Sequence, residues 1–178
     1  LDWNGAVTSQ TRGAGIGALT INAKGAFANN QVRLDTVLSG AGGLSFRGGG
    51  TVGIGGATPL GLKFNGTVPF GVLQGQLSAQ GFVLTGNANV DLSIGGTAAA
   101  PSITGSITAG GARLVDVRRN LAVENLTIRV TMDGRQAVIE TVSGKLASGG
   151  QLSASGRVGI DPASGFPVDV AVKLGDIT

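Results

Sequence analysis

Two-residue alternation without a competing helical period most limits what this chain folds into. In GNANVDLSIGGTAAAPSITGSI, residues 86–107, Ala88, Val90, Leu92 and Ile94 alternate with Asn87, Asn89, Asp91 and Ser93. Successive side chains of a strand point to opposite faces, so this is a strand with one apolar and one wet face. It breaks at Gly95-Gly96 and resumes after Pro101 with Ile103, Gly105 and Ile107. No window of useful length shows a 3.6-residue period, and strong helix formers are scarce. An apolar face with no helix to lie on it must be covered in some other way.

The same pattern recurs about every 12 to 20 residues, a spacing expected of an all-β sandwich, barrel or repeating sheet. Ile16, Leu19, Ile21 and Ala23 form an early strand region. After a turn at Asn29-Asn30, Val32, Leu34, Thr36 and Leu38 alternate with Arg33, Asp35 and Val37. Leu44 and Phe46 precede a break at Gly48-Gly49-Gly50, Val52 and Ile54 follow it, and Leu60, Leu62 and Phe64 make the next run. Every even position from Phe82 through Leu84 to Ile94 is small or apolar.

The last third yields a register. Leu126, Ile128, Val130 and Met132 lead into Asp133-Gly134, a strong hairpin signal. A two-residue turn there pairs Val130 with Ala137, Ile128 with Ile139 and Leu126 with Thr141, and makes Arg129 and Glu140 diagonal neighbours. A second turn at Gly149-Gly150 sets Ile139 beside Ile160 and Thr141 beside Val158. A longer turn through Asp161-Pro162 and Gly165 sets Val168 beside Ile160 and Val170 beside Val158. The expectation is an antiparallel meander with one aliphatic face, since a one-residue slip would turn each apolar set outward.

Composition narrows the function. The chain has 178 residues, enough for one domain with a sizeable core, and residues 1–178 are read as a single all-β domain. Its 33 glycines and 5 prolines would suit disorder, but 42% of residues are hydrophobic and only 13% charged, so it folds. Cysteine and histidine are absent, which removes thiolate and imidazole metal sites and every catalytic scheme built on those groups. The net charge is +3, yet the basic residues are scattered apart from Arg118-Arg119 with Arg113 nearby. With one Trp and no Tyr, the chain lacks the clustered cations and stacking aromatics of a nucleic-acid binder. Arg118-Arg119 reads as a solvated turn, or as a contact for an acidic partner or anionic lipid. Residues 64–90 and 92–112 carry no charge but are too rich in Gly and polar residues for a membrane helix. The start at Leu1, without a signal-like run, reads as an excerpt of a longer protein.

No pair of the ten carboxylates is spaced for glycosidase-type chemistry, and they read as solvated strand and turn charges. GAGIGALT at 13–20 resembles a phosphate loop in letters only, since no helix pattern follows and no Lys stands in place. No enzyme, cofactor or metal is expected. The aliphatic stripes carry the functional weight. A curled, mostly antiparallel sheet would leave a groove lined by Leu84, Val90, Leu92, Ile94, Ile103, Ile107, Leu126, Ile128, Val130, Ile139, Val158, Ile160, Val168, Val170 and Val172. Such a lining suits acyl chains, which need burial and no directed hydrogen bonds. The alternatives are a sandwich or β-solenoid with a closed core, or a fragment of a transmembrane barrel, against which the missing aromatic girdles argue.

GGTAAAPSITGSITAGGARL, residues 95–114, resembles the repeating signature of the TamB family, the translocation and assembly module, in its C-terminal conserved domain. The carriers are Val90, Leu92 and Ile94, then Gly96-Thr97, Pro101, Ile103, Gly105 and Ile107. Asn125-Leu126 and GGQLSASG at 149–156 extend the resemblance, which covers about residues 82–175. It implies an AsmA-like bridge protein, anchored in the inner membrane of a Gram-negative bacterium and crossing the periplasm as a long curled sheet, a β-taco, with a hydrophobic interior. The implied partners are an outer-membrane barrel of the Omp85 class and phospholipids or nascent outer-membrane proteins. The implied roles are lipid transport, protein secretion and outer-membrane biogenesis. The family offers no catalytic residue.

Overall fold

The structure, a computed structural model, describes residues 2–10, 18–160 and 167–175. It is all-β. In chain order the strands are β1 (Asp2–Gln10), β2 (Ala18–Ala28), β3 (Gln31–Gly40), β4 (Ser45–Gly53) and β5 (Leu60–Pro69). A 3₁₀ turn, Phe70–Leu73, and a short helix α1 (Gln74–Ala79) interrupt them. Then follow β6 (Phe82–Thr85), β7 (Asn87–Gly96), β8 (Pro101–Asp116), β9 (Leu121–Gly134), β10 (Gln136–Leu146), β11 (Gln151–Gly159) and β12 (Val168–Gly175). All pair antiparallel in one open sheet of order β1-β2-β3-β4-β5-β7-β8-β9-β10-β11-β12, with β6 beside the far half of β8. Chain neighbours are sheet neighbours almost throughout, as short connections dictate. The described strands form no second sheet to make a sandwich, and no parallel rungs of a solenoid.

The registers align one transverse row across all eleven strands of the path. It runs Val7, Ile21, Leu38 and Phe46, then Gly66, Val90 and Ile107, then Val130, Ile139, Gly156 and Val170. The next row contains Thr36, Gly48, Phe64, Leu92, Gly105, Met132, Ala137, Val158 and Val168. The opposite face is polar, with Asn65, Asp91, Ser106 and Thr131 in one line. In β3, positions on the aliphatic face are half-buried and their alternates exposed. No second sheet shields them, so the curl of the sheet and lateral neighbours do.

Curl has local causes. Gly105 lies mid-strand at φ +132, where an added Cβ would clash with the Asp91 carbonyl oxygen. Glu140 is an extra residue between the pairs Ile139↔Val130 and Thr141↔Arg129, and Asn125, at φ +52, lies at another register shift. Bulges and glycine kinks of this kind bend a strand and raise its twist.

Several expectations shift here. The Asp133 turn moves one residue along, which shifts the pairing by two, so that Ala137 pairs with Met132 and Ile139 with Val130. Asp133 stands before the turn rather than inside it, because its carboxylate accepts the backbone N–H and the Nε2–H of Gln136. Gly134, at φ +114, then takes the first central position that needs a positive φ. The bulge at Glu140 reverses the faces beyond it, so Val142 rather than Thr141 joins the aliphatic side, opposite Ile128. Glu140 accepts a hydrogen bond from Thr131 instead of meeting Arg129. The Gly149-Gly150 turn is longer than two residues, with Leu146 N–H donating to Gly150 O, so Ile139 faces Gly156 rather than Ile160. Val168 pairs with Val158 and Val170 with Gly156. The triple glycine at 48–50 is no break, since β4 runs through it. The run from Phe82 to Ile94 is split at Gly86 into β6 and β7, both paired to β8. Ile16, the start of the Gly13 segment and the Asp161-Pro162-Gly165 turn lie outside the described residues.

Candidate functional site: an open aliphatic face

Most of the expected residues share one face in successive rows. Val90, Ile107, Val130, Ile139 and Val170 lie in the long row, and Leu92, Val158 and Val168 in the next. Ile94 and Ile103 pair in the row beyond. Ile128 and Val172 lie on the other side, in the row of Ala88, Ala109, Val142 and Ala154. Ile160 follows the end of β11, its N–H given to Arg135 O, and stands outside these rows.

Leu84 and Leu126 do something different. Leu126, with Phe70, Ala88, Ala109, Ala112, Val123 and Leu146, forms the compact buried core of the molecule, and Leu84 packs against it, as do Ile107 and Ile128. Phe70 follows the end of β5, its N–H bonded to Gly86 O, and packs in one cluster with the small residues Ala88, Ala109 and Ala112. The 3₁₀ turn, α1 and β6 thus cap one margin of the aliphatic face. The β8–β9 turn fastens this cap. Val117 N–H donates to Gly81 O, and Arg118 donates from Nη2 to Ala79 O at 3.1 Å.

The three arginines considered as an anion contact are engaged internally. Arg119 donates from Nη1 to Asp116 Oδ2 at 2.7 Å, and Arg113 stands 3.6 Å from Glu124. Asp116 is only 5% exposed and also accepts the N–H groups of Arg118 and Arg119. The Arg119 side chain, with these N–H bonds, holds its carboxyl below the usual carboxylate value, and the bonds from Gln136 do the same for Asp133.

Away from the cap the face is open. Val168, Val172 and Leu174 on β12 are 66%, 61% and 56% exposed. Spectator residues of the first half belong here as well: Leu34, Leu38, Phe46, Leu62 and Phe64 lie in the same rows. Alternation in β3–β5 already marks them. Phe64 covers Gly48 and Phe46 covers Gly66, so each ring lies across its facing glycine. Val142 left no signal in the sequence, because it reaches the face only through the Glu140 bulge. An open crevice of about 510 Å³ involves Leu62 and Ile94 of the aliphatic face together with Lys63, Ser93, Ser102 and Thr104 in register with the polar face. The aliphatic face is a surface and not a closed pocket.

Among the described residues no helix is long and apolar enough to cross a membrane, and no group of three or more acidic residues is placed to hold a metal ion. Comparison of the chain with protein-family models, characterised proteins and solved structures finds no match. The class that the fold and site define is an open, one-layer antiparallel sheet with one aliphatic face capped at one margin.

Proposed function

We propose that this chain is a non-catalytic periplasmic bridge domain of the TamB kind, whose curled aliphatic face shelters the acyl chains of phospholipids in transit between the two membranes. The observation that supports this most is the size of the aliphatic surface. From β2 to β12, nine inter-strand spacings of about 4.8 Å and the three rows outside the cap make it about 43 Å by 14 Å. Soluble monomers rarely expose a contiguous apolar patch above a few hundred Å² unless it binds something. The face is aliphatic rather than aromatic and presents no directed hydrogen bonds, which fits acyl chains better than a flat ring system. In this reading the domain belongs to an inner-membrane-anchored protein acting with an Omp85-class barrel in outer-membrane biogenesis, and it needs no cofactor.

The test is native mass spectrometry of the chain expressed in a bacterial periplasm, followed by lipid extraction. Phospholipid at a reproducible ratio, lost in Leu62→Asn and Val130→Asn while circular dichroism and unfolding stay cooperative, is the expected result. A folded, lipid-free protein that also takes no phospholipid from vesicles would overturn the reading.

A further inference from the structure

Along β7 the aliphatic face steps down in size toward the cap, from Ile94, Leu92 and Val90 to Ala88 and then Gly86. β8 steps down with it, from Ile103 and Ile107 to Ala109 and, past a register shift, Ala112. The pairs Val90↔Ile107 and Ala88↔Ala109 place the step at the same height on both strands. Side chains this small leave a recess at the end of the face, which close packing requires something to fill. The filler comes from outside the strands. Phe70 is 7% exposed, and it is the one buried residue of the 3₁₀ turn and α1. A Cβ added at Gly86 would lie 3.7 Å from the Phe70 ring and 3.1 Å from Ala112, so ring and floor meet there.

The two ends of this path differ in chemistry. At the open end Ile94 and Ile103 are half-buried, and the crevice beside them offers the Lys63 cation and the hydroxyls of Ser93, Ser102 and Thr104. At the capped end stands a phenyl ring among alanines. That difference orients an amphiphile, with its anionic head at the open end and its tail toward the cap. Resting on the acyl-chain reading above, we infer that Phe70 is the end stop of the face and the residue that selects acyl-chain length. The chain lies along β7 and β8, and its terminal methyl abuts the Phe70 ring. One row of side chains is two residues of strand, about 7 Å, so the position of the ring fixes how many carbons are sheltered. A chain lying across the strands instead would run parallel to the cap, and its length would not depend on Phe70.

The experiment is titration calorimetry with single-chain phosphatidylcholines of increasing acyl length, each below its micelle concentration. Every methylene that still lies on the face raises affinity about fourfold, and methylenes past the stop add nothing. Affinity for wild type should therefore climb by about that factor per carbon and then level off. Phe70→Leu and Phe70→Ala should move the levelling point to longer chains, the second further, with the slope below it unchanged. Ile107→Phe sets a ring one row before the alanines and should move it to shorter chains. Leu73→Ala, at a 39% exposed position of the same 3₁₀ turn, should leave it in place. If Phe70→Ala does not fold, Phe70→Leu and Ile107→Phe decide. Affinity that climbs without levelling, or a levelling point that ignores the Phe70 and Ile107 variants, would overturn the stop and leave the acyl-chain reading standing. A levelling point that Leu73→Ala moves as far as Phe70→Leu would do the same. A wild-type chain that binds no member of the series overturns both.

Discussion

At the scale of single residues, a few positions carry constraints that the regular alternation hides. Gly105 combines a backbone that L-residues rarely adopt with a neighbouring carbonyl where its Cβ would be. Gly105→Ala should therefore cost about 2 kcal/mol or more, from strain of about 1–3 kcal/mol plus the clash, measured by urea unfolding. Phe70, 7% exposed, fills the space over Ala88, Ala109 and Ala112. Phe70→Ala should lower stability by about 3 kcal/mol, as for other large-to-small changes in a packed core. Asp116 supplies the pH dependence. Its carboxyl lies lower in the folded chain than when unfolded, so the ionised form favours folding. That contribution is complete above the usual carboxylate value of 3.8 and fades as pH falls through the lowered one. Thermal melts between pH 7 and pH 2 should show Asp116→Asn less stable than wild type at neutral pH, with the gap narrowing in acid.

At the scale of elements, the cap and the open strands should behave as different bodies. The cap of 3₁₀ turn, α1 and β6 is tied to the β8–β9 turn by Arg118 and Val117, while its inner side packs through Phe70 and Leu84. Arg118→Ala removes an exposed hydrogen bond worth about 1 kcal/mol. Amide exchange should rise in α1 and at Val117 and stay unchanged in β3 and β4, because local opening there does not pass through the cap. The cap was not legible in the sequence. GVLQGQLSAQ, residues 71–80, is too short for a helical period to stand out, and its helix is six residues long. The hairpin between β9 and β10 was legible as a hairpin but not in register, because one carboxylate bonding Gln136 moves the turn by one residue and the pairing by two.

At the scale of the whole molecule, what distinguishes this sheet from an ordinary core is that polar substitution has two outcomes. On the open face, Leu34→Asn or Leu62→Asn leaves the new amide in reach of water and should change stability by less than about 1 kcal/mol. Under the cap, Val123 is 2% exposed, and Val123→Asn should cost several kcal/mol for an amide buried without partners. Chemical denaturation of the three variants checks this directly. A bound phospholipid adds stability by mass action, about 2.7 kcal/mol at a hundred times its dissociation constant. Melting in the presence of vesicles should therefore rise for wild type and not for the face variants Leu34→Asn and Leu62→Asn.

The sequence by itself determined the period-2 alternation, hence the strands, their aliphatic side and their antiparallel succession, because side-chain direction in a strand is fixed by parity. It likewise determined which chemistries are absent, since neither cysteine nor histidine is encoded. Only the tertiary structure decided the register, the reversal of faces at Glu140, the burial of Leu126 under the cap, and the exposure of β12. Those depend on bulges, on one side chain bonding a turn, and on which strands find neighbours. The Asp133–Gln136 bond is local and strand pairing joins residues far apart in the chain, and alternation along a strand carries no record of either.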